Sequence, residues 1–273
     1  MSAIWNRMHS GIAARLTRNW PVNGFASQAK TPFVSFSFDD FPHSAACEGA
    51  EILACRSIRA TYFVSGARMG RNVEGLDHFT HRDLVELSGE GHEIGCHTFS
   101  HIRLPAASSA EIRAEIARNR AFILEYAKSP APKSFAYPFG AVSFRTKQLV
   151  ARHFPICRSI DWGINRGFID FGQLKAVLLT ELRGHADIAR LFDQTRAANG
   201  WLIFFTHDVS REPNEHGCSP ARLAAVANEA LERGMTVLPI CQVAENIRIS
   251  RDVASVPASV AIAPEEMQAS TLR

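Results

Sequence analysis

The sequence predicts an α/β fold built on a parallel sheet, and three observations carry that prediction. Short apolar runs recur between residues 33 and 240, helical patterns fall between several of them, and ionisable residues follow run after run. Strand–helix alternation sustained across about 210 residues is the pattern of a parallel sheet with helical crossovers. Taken in order, the apolar run Phe33–Phe38 ends at Asp39-Asp40 and leads to a helical pattern over Ala45–Cys55. Ala60–Val64 is followed by a helix over Thr80–Glu90, and Glu93–Cys96 runs into CHTFSH. The clearest helix spans Ser108–Ala127, where Ile112, Ile116 and Ile123 make a stripe and acid–base pairs line the other side. Ser134–Tyr137 opens into YPFG, with a helix over Ser143–His153 beyond it. Pro155–Ile160 leads into DWGINRG, and helix His185–Asn199 precedes LIFFT, residues 202–206, which ends at His207-Asp208. Helix Pro220–Arg233 and the run Thr236–Ile240 complete the series. Seven strands can close into a barrel or stay open, and spacing alone does not decide between them.

Composition narrows the function. The 273 residues are 46% apolar and 21% charged, ordinary for a globular protein, and a net charge of +3 demands no nucleic-acid partner. The six cysteines show no CxxC or zinc-ribbon spacing, which fits reduced thiols in a reducing compartment. No stretch approaches the ~20 apolar residues of a membrane span. The N-terminus lacks the apolar core of a signal peptide, so a cytoplasmic location is expected. Three regions are expected: an extension over 1–30, a domain over 31–248 and a loosely held tail over 249–273, rich in Ala, Ser and Pro. The extension carries Trp5, Met8, Ile12 and Leu16 at helical spacing with arginines mostly off that stripe. Such a helix docks on its own domain or a second subunit, or makes peripheral contact with an anionic membrane.

In parallel α/β folds, active sites gather at the carboxyl ends of strands. Asp39-Asp40, His97 with His101, the YPFG loop, the Asp161 loop and His207 all fall there. His97 and His101 are four apart, so on a helical turn both rings share a face and can share a cation. A carboxylate from Asp39 or Asp40 completes a two-histidine, one-carboxylate set with a position open to water. This accounts for two adjacent carboxylates at the end of an apolar strand: one binds the cation, the other takes a proton from water that the cation acidifies. A helix cap at Ser44 would explain one of them but not both.

The segments FSFDDFP, GHEIGCHTFSH, FAYPFG and FFTHD resemble, in order and spacing, those of the polysaccharide deacetylase family (carbohydrate esterase family 4), over residues 33–240. The resemblance implies a distorted (β/α)7-type barrel of mostly parallel strands that removes acetyl groups from N-acetylated sugars. It implies a divalent metal, zinc foremost, on Asp40, His97 and His101. It implies Asp39 as general base, His207 as general acid and the Phe139 N–H as an oxyanion donor. Asp161 then orients the catalytic histidine, Trp162 walls the acetyl pocket, and Phe205 stands where a leucine is usual. Two departures stand out. Phe41 replaces the glycine after the aspartate pair, which would narrow the mouth. Ala136 replaces the arginine that braces the base, as in a YPYG-like branch of the family, and Arg166 is the candidate substitute. The expected partner is an N-acetylated saccharide or lipid-linked glycan. A small-amide C–N hydrolase and a carbohydrate-binding barrel that has lost catalysis are the alternatives.

Overall fold

The computed structural model describes Thr17 and residues 20–254, with side chains through residue 248. The Trp5–Leu16 stripe and residues 255–273 lie outside the described residues.

The strands are β1 (Gly24–Ala26), β2 (Phe33–Asp39), β3 (Thr61–Val64), the hairpin β4–β5 (Asn72–Val73 and Leu76–Asp77), β6 (Glu93–Cys96), β7 (Ser134–Ala136), β8 (Ile156–Arg158), β9 (Phe168–Asp170), β10 (Val177–Leu178), β11 (Trp201–Thr206) and β12 (Thr236–Val237). The helices are α1 (Ala50–Ala54, entered through a π-turn over Ala45–Gly49), α2 (His81–Gly89), α3 (Ser109–Tyr126), α4 (Phe144–Ala151), α5 (His185–Ala197), α6 (Pro220–Glu232) and α7 (Ile240–Ala254). Reciprocal caps fix where α2 and α3 begin: Thr80 with Asp83, and Ser108 with Glu111, each satisfy two backbone donors.

Seven strands in the order β10-β11-β2-β3-β6-β7-β8, all parallel, curl into a half-barrel. The segment between β9 and β10 spans the gap between the sheet's edges. Leu174 exchanges backbone hydrogen bonds with Cys157 and Ser159 beside β8, and Val177–Leu178 then pairs with β11. β12 lies along the first residues of β2, a stretch that β3 leaves uncovered because its pairing begins only at Ser37.

The two-residue period of β2 sorts its side chains. Val34, Phe36 and Phe38 join the layer under the helices, while Phe33 packs inside with Trp201, Ile203, Phe205 and Phe63. Both faces are buried, which is why FVSFSF reads as an almost continuous apolar run. The inward Ser35 and Ser37 are satisfied: Ser35 Oγ donates to Leu238 O at 2.7 Å and accepts from Trp201 Nε1 at 3.0 Å, and Ser37 Oγ donates to Phe204 O. α7 contributes Ile240, Val243, Ala244 and Ile247 to the inner cluster. Its first N–H groups donate to Thr61 Oγ1 and Glu93 Oε2 at the start of β3 and β6, so α7 plugs the amino end of the barrel. The carboxyl end is left for chemistry.

Three parts of the chain depart from the expected boundaries. Residues 24–26 of the expected extension form β1, antiparallel to β9. Asp170 Oδ1 accepts from Val22 and Asn23 N–H there, and the buried Lys147 Nζ donates to Thr17 O and Trp20 O, fastening this segment. The run Thr236–Ile240 is a strand for two residues only, because Pro239 lacks the N–H to continue pairing. The backbone of α7 continues to Ala254, six residues past the expected domain end.

Gly95 in β6 tests the packing between sheet layers. A Cβ there would meet Phe63 Cδ1 at 2.6 Å and Ser134 Oγ at 2.8 Å. Gly95→Ala should cost about 1–3 kcal/mol by overpacking, read as a lower urea midpoint at unchanged slope.

Candidate active site

β2 carries Asp39 to the barrel's mouth with its side chain on the inner face. Continued extension would send Asp40 to the opposite face. Instead Asp40 has φ +55°, a left-handed conformation that aspartate tolerates better than most residues, and both carboxylates line one cavity. The next residue, Phe41, does not narrow the mouth as expected. It is fully buried, stacked on Phe79 at 4.3 Å between centroids and edge-on to Tyr62.

His97 follows β6, its N–H bonded to Val64 O. His97 and His101 do not share a helical face. They flank a loop in which Thr98 (φ +60°) and His101 (φ +51°) are both left-handed, and the rings come to 5.0 Å between centroids. His97 Nδ1 donates to Ala136 O at 2.8 Å, leaving the Nε2 lone pair facing Asp40 Oδ1 at 3.9 Å. His101 Nε2 lies 3.4 Å from Asp40 Oδ2.

These three residues fit a divalent cation. One donor atom from each lies within 4.8 Å of the others, and Asp40 Oδ1 is buried yet accepts no hydrogen bond. Burial pushes the Asp40 carboxyl up to about 7, with Asp39 adding repulsion and Arg68 opposing both. Burial likewise drives His101 down to about 2 and His97 well below the ordinary imidazole range, so both are neutral and able to ligate. Arg68 supplies the nearby positive charge. Its Nε is 3.2 Å from Asp40 Oδ1, Nη2 donates to His101 Nδ1 at 3.0 Å, and Nη1 is 3.2 Å from His78 Nε2. A neutral His101 that accepts at Nδ1 carries its proton on Nε2, so ligation through Nε2 requires Arg68 to release it.

Asp39 is braced by Arg158, a residue that sequence reasoning passed over. Arg158 ends β8, is fully buried, and donates Nη2 to Asp39 Oδ1. Its guanidinium is sandwiched between Phe63 and Phe205, 5.1 and 4.8 Å from their centroids. In the β7–β8 pairing the partner of Arg158 is Ala136. The guanidinium missing from β7 thus reaches the base from one strand over. Only the strand register reveals this. Arg166 is exposed, next to Asn165, whose backbone pairs with Trp201 at the far end of β11.

The cavity holds about 620 Å³, inside the usual range for a small-molecule or oligomer-end pocket. Asp39, Asp40, His97, His101, Phe139, Phe205 and His207 line it. His207 ends β11 beside β2, and its Nδ1 lies 3.3 Å from His216 O. Burial lowers the His207 pKa, with Asp39 pulling it back up and His216 lowering it further. Phe139, with φ +57°, lays its ring 4.3 Å from that of His101 and is 55% exposed, forming the lip. Asp161 accepts from Gln173 Nε2 at 2.7 Å, and Trp162 is exposed on the same loop; neither lines this cavity. Sequence reasoning also passed over Arg68 and His216, which do line it, as does His78. Each sits on a loop with no motif spacing to mark it.

An acid–base and ligand set at the carboxyl end of a parallel half-barrel defines the class: an α/β protein with a candidate metal-hydrolase site. Residues 26–153, just under half of the chain, match the sequence profile described as Polysaccharide deacetylase, and the chain is similar to that family. A chitin deacetylase from Pestalotiopsis sp is 30% identical over 82 residues, 30% of this chain and 26% of the relative. A peptidoglycan-N-acetylglucosamine deacetylase from Listeria monocytogenes is 27% identical over 133 residues, 48% of this chain and 26% of the relative. The matches therefore span about a quarter of either curated relative. Among solved structures, a family 4 acetyl xylan esterase from Clostridium thermocellum in complex with a cobalt ion superposes with a TM-score of 0.56 at 23% identity. It covers 77% of this chain and 89% of its own, a likeness of fold.

The carboxyl of Asp40 carries a proton that any bound cation would have to contend with. Below about 4 it is protonated whether the chain is folded or not. Between there and about 7 only the folded site keeps the proton, and above about 7 neither state does. A cation must displace that proton. Calorimetry of Zn2+ binding near pH 6 in two buffers should show release of about one proton, with affinity falling about tenfold per pH unit below 7. Release of none would contradict the protonated Asp40, and release of three would contradict the neutral histidines.

Proposed function

We propose that the chain is a metal-dependent hydrolase that removes acetyl groups from the N-acetylated sugars of a saccharide or lipid-linked glycan. One observation carries this reading: Asp39, Asp40, His97, His101 and His207 line the same cavity. Asp40, His97 and His101 would hold the ion, for which zinc is our choice. When bound, a divalent ion there polarises an amide carbonyl and acidifies water. The relatives named as chitin and peptidoglycan-N-acetylglucosamine deacetylases support an N-acetylated sugar as substrate.

The chain's own residues divide the remaining work. Asp39 takes the proton of the attacking water, and Arg158 fixes the carboxylate's orientation. His207, one strand away, keeps its Nδ1 proton on the His216 carbonyl, so Nε2 first takes up a proton from solvent at the cavity mouth and the resulting imidazolium hands it to the departing amine nitrogen. The Phe139 N–H is our candidate donor to the oxyanion, on a backbone already bent to a left-handed conformation. The exposed Phe139 ring and Phe205 supply apolar surface for an acetyl methyl and the sugar face.

The deciding experiment is acetate release from N-acetylglucosamine oligosaccharides with added divalent ions, compared with turnover of small and cyclic amides. Saccharide binding without acetate release from any amide or ester would favour a carbohydrate-binding barrel. Asp39→Asn should keep metal binding and lose activity by about 10²–10⁴-fold. His207→Ala should slow amides more than activated esters, whose leaving groups need no proton. Arg158→Ala should lower kcat with metal affinity retained, and a soluble Arg158→Ala/Ala136→Arg double variant should recover part of it. Wild-type kcat in Arg158→Ala would refute the bracing role.

A further inference from the structure

Outside the catalytic cavity, one further group of ligand-type side chains converges among the described residues. His43 directly follows DDFP, Cys47 lies four residues on inside the π-turn, and Asp83 stands in the first turn of α2. A donor atom from each lies within 4.8 Å of the others. His43 Nδ1 is 2.8 Å from Asp83 Oδ2, and the Cys47 sulfur is 3.3 Å from His43 Nε2 and 3.8 Å from Nδ1. The carboxylate is buried while the imidazole and thiol are exposed, so the group opens to solvent on one side.

The arrangement has two chemical readings. Thiol, imidazole and carboxylate in series resemble a nucleophile with its base and orienter. That reading needs a thiolate, and the surroundings oppose one. Burial, then Asp83, Glu86 and Glu48, push the Cys47 thiol above its ordinary range. Acids that disfavour an uncompensated thiolate favour a cation bound to one. A shallow cavity of about 290 Å³ beside the group is lined by Cys47 and Asp83 with Glu51, Glu86 and Glu90. Acidic walls around a sulfur–nitrogen–oxygen donor set suit a borderline-soft divalent ion. Cys47 lies in the π-turn four residues after His43, and such turns are frequent at functional sites.

We propose that His43, Cys47 and Asp83 form a second divalent transition-metal site, separate from the catalytic set and distinguished from it by a thiolate ligand. On binding, a sulfur–metal bond forms and the thiol proton passes to water; His43 and Asp83 provide the other protein ligands, with the open side left to solvent. The site ties the DDFP turn to the start of α2. Asp40 lies three residues upstream, so occupancy stiffens the turn that presents it.

The catalytic set contains no sulfur, which makes the two sites separable without measuring activity. Titration of the full chain with Co2+ should develop a thiolate-to-cobalt charge-transfer band in the near ultraviolet. The band should persist in His97→Ala/His101→Ala and vanish in Cys47→Ala. A conservative check guards against misfolding: Cys47→Ser should keep wild-type circular dichroism and lack the band. In wild type, Zn2+ should slow maleimide labelling of Cys47 at least tenfold, read by peptide mass spectrometry, and leave the exposed Cys55 unaffected. A cobalt spectrum with no sulfur charge transfer, a band that survives Cys47→Ala, or equal labelling of Cys47 with and without Zn2+ would overturn the proposal.

Discussion

Two buried carboxylates on consecutive residues are the constraint around which this molecule is arranged. At such separation their repulsion in a poorly polarisable interior is large, and desolvation adds to it. The fold answers with a different cation for each. Asp39 receives a guanidinium that is itself fully buried and held between two aromatic faces. Asp40 receives Arg68 at ion-pair distance but keeps one oxygen without a hydrogen bond, and burial pushes its carboxyl up to about 7. The asymmetry suits the proposed roles. A base needs a fixed orientation, whereas a metal ligand needs a charge deficit that an ion can fill.

Holding both groups at one cavity requires backbone that a regular strand or helix does not supply. Asp40, Thr98, His101 and Phe139 all take positive φ without being glycine. Each such residue costs on the order of 1 kcal/mol or more, and such strain persists only where the surroundings over-determine it. Here the surroundings are Phe41 locked among Tyr62 and Phe79, the His97–Ala136 bond, and the aromatic layer beneath β2. The apolar core, plugged at its other end by α7, makes the irregular mouth affordable.

Much of this was legible in the chain. Period and composition located β2, β6 and α3 to within a residue or two, because a strand buried on both faces and a capped helix each have strong local signals. The short β9 and β10 were not legible, being two or three residues held by tertiary pairing rather than propensity, and β12 was read from its apolar run but drawn too long. Asp39, Asp40, His97, His101 and His207 could be placed at one rim from their positions after strands. The helical-face argument for the two histidines failed, although they do converge, because a loop with two left-handed residues brings i and i+4 together as a helix turn would. Arg68 and His216 left no trace, since their roles depend on where loops fold back.

The position of Arg158 shows why a missing motif residue is weak grounds for assuming lost function. What the base requires is a guanidinium at a point in space, and in a parallel sheet that point is within reach of paired residues on neighbouring strands. Ala136 and Arg158 are such a pair, both on the inner face with Phe63 and Phe205. A small residue on β7 is then a condition for a long one on β8, because two arginines could not share the aromatic slot without burying an unpaired charge. The same register reasoning places His207 beside Asp39. Thr206 pairs with Phe38, so the residues that follow, His207 and Asp39, leave adjacent strands at the same height. The pair proposed as proton donor and acceptor is thereby set by backbone pairing, which suits groups whose separation must not vary.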